Sequence, residues 1–334
     1  MNKYIHLQNM APLLVQVELT EACNLKCRFC YNSQQPKYNR NVFKMLDVLA
    51  EQGVMQVTLT GGEPLMHPDF FKILSYATKK FPNVMILSNG ALMNERAVEE
   101  ISDSGVMSVS VSIHGDREIH DSLTGIIGSY EKSMNAIKKY LAIGKTPIAS
   151  NFVLNAYNVN VLEKTAKTFH EIGLNFMTIT RFVPVGIGKS ASFLEINSSD
   201  MIKAMEFADK FMKEYENPHI EFAEAIPHCA VPKHLEYLAN TCSYGYDRFY
   251  VDVNGDMMVC GLSRIPLGGN ILTTPISEIK KNSFAFNSFI SNEHVPDNCA
   301  RCHIFEKCHG GCRAAAMRTG EWRKTKDSFC CGEE

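Results

Sequence analysis

Between residues 13 and 216, short apolar runs rich in β-branched residues alternate with amphipathic segments, and this rhythm restricts the fold more than any other feature of the chain. The strand candidates are 13–19 (LLVQVEL), 54–59 (VMQVTL), 84–87 (VMIL), 107–113 (MSVSVSI), 147–153 (PIASNFV) and 176–180 (FMTIT). Helical candidates between and after them include 69–80, 94–104, 129–143, 159–172 and 198–216, with Asn94, Ser129 and Ser199 as expected caps. Six such units predict an α/β fold: a parallel sheet with right-handed crossovers, curled into a partial (β/α)6 barrel, three quarters of the closed eight-unit form. After about Glu216 the pattern changes to short strands, turns such as Asn254-Gly255, and cysteines. The expected division is therefore 1–216 for the barrel and 217–334 for a small cysteine-rich domain.

In parallel α/β folds, chemistry collects on the loops at the carboxyl ends of the strands. The sequence puts unusual residues there. The first strand leads into Cys23, Cys27 and Cys30, the second into Gly61-Gly62-Glu63-Pro64, the third into Ser88-Asn89-Gly90, the fourth into His114-Gly115, and the sixth into 181–188 (RFVPVGIG).

The chain has 12 cysteines in 334 residues, in two groups: the three at the front, and Cys229, Cys242, Cys260, Cys299, Cys302, Cys308, Cys312, Cys330 and Cys331. No apolar run is long enough to span a bilayer, and the first residues lack a secretory signal, so the expected location is the cytoplasm. In that reducing compartment metal explains the cysteines better than six disulfides do. With 34 basic and 36 acidic residues, nothing points to a nucleic acid or an anionic membrane as partner.

A structural metal site closes with four ligands, whereas Cys23-x3-Cys27-x2-Cys30 offers three thiolates and leaves one iron of a cubane cluster open to a small molecule. Taken alone, the motif also suits a zinc knuckle or buried apolar cysteines. With Gly61-Gly62-Glu63-Pro64 at the end of the next strand, it resembles the radical S-adenosylmethionine (radical SAM) superfamily. The resemblance implies that the open iron chelates the cofactor's methionine portion, and that one electron releases a 5'-deoxyadenosyl radical that takes a hydrogen atom from substrate. It further implies cofactor contacts from Phe29; from Gly61, Gly62 and Glu63 to the methionine amino group; from Ser88, Asn89, Ser110 and Ser112 to the carboxylate and ribose; and from the Arg181 to Gly188 segment, Val183 included, to the adenine through backbone groups. Two positions depart from the family pattern: His114 where an aspartate is commoner, and Thr124 where an arginine often stands.

The later cysteines, Cys242, Cys260, Cys299, Cys302, Cys308, Cys312 and Cys330, resemble the SPASM extension of radical SAM enzymes that mature peptides. That resemblance implies two auxiliary 4Fe-4S clusters, hence three in all: one on Cys299, Cys302, Cys308 and Cys330, the other on Cys242, Cys260 and Cys312, with Cys229 the upstream cysteine expected to complete it. Cys331 is left as a surface thiol, an alternate to Cys330, or a hydrogen-atom donor. A pair of zinc ribbons is the plainer reading of the tail.

The implied activity is maturation of a ribosomally made peptide by crosslinking or epimerisation. The alternatives are a radical SAM enzyme acting on a sugar, aminoglycoside or tetrapyrrole, and a non-catalytic metal-binding scaffold or electron carrier. Flavodoxin or ferredoxin is the expected reductant. Because 22 residues precede Cys23, leader-peptide recognition is expected to need a separate protein or another surface of this one.

Overall fold

The computed structural model describes residues 5–318 and 321–330. Its six expected strands form in chain order, β1 (Leu14–Glu18), β2 (Gln56–Thr60), β3 (Asn83–Ser88), β4 (Ser108–Ser112), β5 (Ile148–Leu154) and β6 (Phe176–Arg181), each parallel to the next. Helices α1 (Val42–Glu51), α2 (Phe70–Lys80), α3 (Glu95–Asp103), α4 (Arg117–Thr124), α5 (Ser129–Ile143), α6 (Leu162–Glu171) and α7 (Ser198–Glu214) supply the crossovers and the final layer. The apolar stripes of these helices close on the sheet. Met45, Ile73, Val98, Ile137, Phe169 and Met205 are buried against Val17, Leu59, Ile86, Val109, Phe152 and Ile179. Each such side chain contributes about 1.5–3 kcal/mol by leaving water.

The sheet continues past residue 217 on both of its edges. Strand β7 (His219–Phe222) adds in parallel to β6, and β8 (Arg248–Val251) adds in parallel to β1. Antiparallel β9 (Asp256–Met258) and β10 (Pro266–Asn270) follow β8, giving ten strands in the order β10-β9-β8-β1-β2-β3-β4-β5-β6-β7. The cysteine-rich part is thus hydrogen-bonded to the strand that leads into the front cysteines.

Of the expected caps, Asn94 holds its place, its side chain accepting from Ala97 N at 3.0 Å. Ser129 and Ser199 do not cap. Gly128 takes the cap position of α5 with φ of 82°, while Ser129 turns inward to donate to Asp121 at 2.9 Å. Asn197 caps α7 by accepting from Asp200 N at 2.9 Å, and Asp200 reaches back to Asn197 N. At α7 a carboxamide two residues upstream takes the free amide in place of Ser199, and at α5 the Asp121 carboxylate accepts from Gly128 N and Tyr130 N in place of Ser129.

Candidate cofactor and cluster site

The front cysteines occupy the loop after β1, and their neighbours fasten that loop by backbone bonds. Lys26 N and Arg28 N donate to Thr124 O and Leu123 O at the end of α4, Gly188 N donates to Cys30 O, and Gly62 N and Glu63 N donate to Thr20 O and Ala22 O. Burial pushes the Cys23 thiol up to about 11, and burial likewise raises Cys27 and Cys30. The three sulfurs lie within electrostatic reach of one another. Amide donors from Leu25, Asn32 and the Asn89 side chain point at Cys23 and Cys30, offering the stabilisation that deprotonated, metal-bound sulfur requires. Among the described residues no three His, Cys, Asp or Glu side chains converge tightly enough to chelate a single ion, front or tail. Three thiols on one loop, with amide donors aimed at two of the sulfurs, are a donor set that suits a cluster whose thiolates bind separate irons.

Gly61 and Gly62 are also required by the packing of the cysteine loop. A Cβ on Gly61 would strike the Thr20 carbonyl, and one on Gly62 the Glu21 and Ala22 carbonyls. The close approach they permit is that of the cysteine loop itself. Glu63 is fully buried and organises the next loop. Its Oε1 accepts from Ser88 Oγ at 2.7 Å and Leu65 N at 3.2 Å, and its Oε2 from Asn89 N at 2.8 Å. A carboxylate has about four acceptor positions, so one remains for a cationic ligand group. Burial pushes Glu63 up to about 7. Asn89 then bonds Asn24 Oδ1 at 2.8 Å, which brings the ends of β1, β2 and β3 together.

Ser110 is buried and Ser112 half-buried on β4. Beyond them His114 meets Phe29 edge to face at 4.7 Å, accepts from Val153 N through Nδ1, and stacks on His120. Burial holds both imidazoles in their neutral form, with His120 down to about 4. A neutral ring at 114 can offer a ribose hydroxyl an N–H, where the commoner aspartate could only accept.

Arg181 does not present its guanidinium to the barrel mouth. It forms a buried two-pronged pair with Asp327, at 3.0 and 2.8 Å, and lies over the Phe329 ring. Asp327 Oδ2 also accepts from Cys312 N at 2.7 Å. Val183 packs beside Val185, Cys312, Ala314 and Ala315. The side chains of both residues thus face the cysteine-rich part, and only their backbone is left for a ligand of the barrel.

The tail thiols form two sets. Cys242, Cys260 and Cys312 lie within mutual electrostatic reach, as do Cys299, Cys308 and Cys330. Cys302 follows one turn after Cys299, its N–H on the Cys299 carbonyl. Cys229 departs from expectation: its sulfur stands 3.8 Å from that of Cys330, and the His228 backbone donates to the Cys308 sulfur. The short helical turn at 228–230 packs against the Cys308 turn, which carries Cys229 to the second set instead of the first. Cys331 lies outside the described residues.

The sequence reading missed a buried polar group between the two parts. Glu18, on β1 and fully buried, takes Arg264 at 2.8 Å and Asn32 at 2.7 Å, with Tyr250 close by. The signal available was a carboxylate in an apolar strand five residues before Cys23.

Comparisons with known proteins agree with this geometry. The family model described as the radical SAM superfamily matches residues 17–172, and SPASM, an iron-sulfur cluster-binding domain, matches 242–303. An AdoMet-dependent heme synthase of Methanosarcina barkeri is 28% identical over 345 residues, 96% of each chain. The sporulation killing factor maturation protein SkfB of Bacillus subtilis is 28% identical over 82% of this chain and 66% of its own. In fold, Streptococcus suis SuiB bound to its precursor peptide SuiA superposes with a TM-score of 0.80 at 17% identity, covering 97% of this chain and 77% of SuiB.

Proposed function

Because the chain belongs to the radical SAM superfamily and carries a SPASM extension, an enzyme type that uses S-adenosylmethionine and iron-sulfur clusters, we propose that it matures a ribosomally made peptide by crosslinking or epimerisation. When bound, the cluster and cofactor supply an electron and a 5'-deoxyadenosyl radical that takes hydrogen from substrate. The protein's part is position. In this reading Cys23, Cys27 and Cys30 hold three irons; Glu63, with Ser88 and Asn89 fixed on it, takes the methionine ammonium; Ser110, Ser112, His114 and Phe29 flank the ribose; and the backbone of 181–188 lines the adenine. Residues 1–216 form the cofactor unit and 217–334 the auxiliary unit, with two further clusters on the tail cysteines. A flavodoxin or ferredoxin supplies the electron.

The likeness to a peptide maturation protein over 82% of the chain carries the peptide reading, supported by a groove of about 560 Å³ that opens beside Cys27 between Arg28, Ile187 and Phe193. The full-length likeness to a heme synthase favours a second reading, a tetrapyrrole substrate. Anaerobic incubation with S-adenosylmethionine, reductant and either a candidate precursor peptide or a heme-precursor tetrapyrrole separates them by mass spectrometry. Loss of two hydrogens from the peptide marks a crosslink, and deuterium uptake marks inversion. Turnover of the tetrapyrrole with an untouched peptide overturns the proposal.

A further inference from the structure

Two turns that carry cluster thiols meet on a single oxygen. After Cys30, Asn32 N donates to the Cys30 sulfur at 3.4 Å, and Asn32 Nδ2 donates to Glu18 Oε1 at 2.7 Å. After Cys260, Ser263 N donates to the Cys260 sulfur at 3.2 Å, and Arg264 N donates to the Cys260 carbonyl at 2.9 Å. The Arg264 guanidinium then donates to the same Glu18 Oε1 at 2.8 Å. Hydrogen bonds joined only by Asn32, Glu18 and the Ser263-Arg264 dipeptide therefore run from one sulfur to the other.

The members of this chain are held in place. Glu18 is fully buried at the end of β1, a strand fixed between β2 and β8. Arg264 takes φ of 46°, left-handed backbone that a residue with a side chain adopts where its surroundings impose it. Its guanidinium also lies over the ring of the buried Tyr250, at 5.4 Å. Pulling Arg264 away would strand a buried carboxylate without its cation, so the contact resists opening.

We propose that Glu18, acting through Asn32 and Arg264, is a positioning residue that fixes the span between the front cysteines and the set of Cys242, Cys260 and Cys312. In the function proposed above, the substrate radical forms at the front site and is carried to product beside the auxiliary set. The span between them then decides whether cleavage of S-adenosylmethionine ends in product or in 5'-deoxyadenosine alone. Opening the joint leaves each site intact and lets the two drift apart.

This inference rests on the auxiliary-cluster part of the proposed function, and one set of measurements tests the two separately. Full-length protein is reconstituted anaerobically with iron and sulfide, and its front site is capped with S-adenosylmethionine. Cys260→Ala should lower iron by about four per chain; unchanged iron would overturn the auxiliary-cluster reading itself. With that loss established, the magnetic coupling between the reduced clusters is read by pulsed electron paramagnetic resonance. Arg264→Ala and Asn32→Ala open the joint from opposite sides, and each should keep its iron and replace the parent's single coupling by a broad distribution. Because both act through one oxygen, the double variant should be little worse than either single one. Arg264→Lys, which keeps the charge, should recover part of the parent coupling. With the substrate that the parent converts, product per 5'-deoxyadenosine should fall about 10- to 100-fold in both alanine variants while 5'-deoxyadenosine still forms. Parent-like coupling in either alanine variant, iron lost from one set only, or additive effects in the double variant would remove Glu18 as the joint and leave two unconnected local supports.

Discussion

The front and tail cysteines reach their positions by opposite means. Cys23, Cys27 and Cys30 lie within eight residues of one loop, and their spacing alone brings them together; the surrounding loops only brace it. The tail cysteines come from segments as far apart as 229 and 330, and are gathered by long-range contacts of which the buried Arg181 and Asp327 pair is the hub. A site coded locally depends on few contacts outside its loop, chiefly the close approach at Gly61 and Gly62, whereas a site coded by tertiary contacts depends on many.

That contrast can be broken first at the front. Cys27→Ala should reduce 5'-deoxyadenosine formation to background while tail iron stays bound, as read by product chromatography and iron analysis. At the tail, Asp327→Ala leaves a buried guanidinium unpaired and should destabilise the protein by about 3–5 kcal/mol, with loss of tail iron before front iron, in denaturant unfolding followed by metal analysis. Gly62→Ala should cost about 1–3 kcal/mol by forcing the cysteine loop away from β2, and iron loss there should exceed that at the tail.

The pH response sharpens the comparison further. Glu63 has a folded-state pKa of about 7 against an ordinary 4.5, so its ionisation penalises the cofactor-free fold progressively as pH rises through that window, and the penalty is absent below it. A cationic ligand group needs the ionised form. Affinity for S-adenosylmethionine should therefore fall about tenfold per pH unit below about 7 and level off above it, by calorimetry, and Glu63→Gln should flatten the profile. The smallest effect belongs to Asn94→Ala, far from both sites, which should cost about 1 kcal/mol in thermal unfolding and leave all iron in place.

Local features were legible in the sequence. The alternation in 107–113 and the β-branched run at 54–59 gave strands to within two residues, because strand and helix periods are short-range signals. The front cysteine motif was legible for the same reason. Pairings between distant segments were not. Nothing in 248–251 (RFYV) announces β1 as its neighbour, nothing beside Arg181 announces a partner 146 residues on, and no spacing rule carries Cys229 to Cys330. Capping at Ser199 failed because Asn197, two residues earlier, took the position, and at Ser129 because the Asp121 carboxylate from the preceding helix accepts the first amides.

The addition of β8 to β1 also decides which strands are left at the rim. With β1 covered, the margins of the sheet are β7, of four residues, and β10, of five, which opens on Pro266 and has an irregular register against β9. Short and interrupted margins offer little template to another chain, which protects against self-association during the interval when iron has yet to be installed.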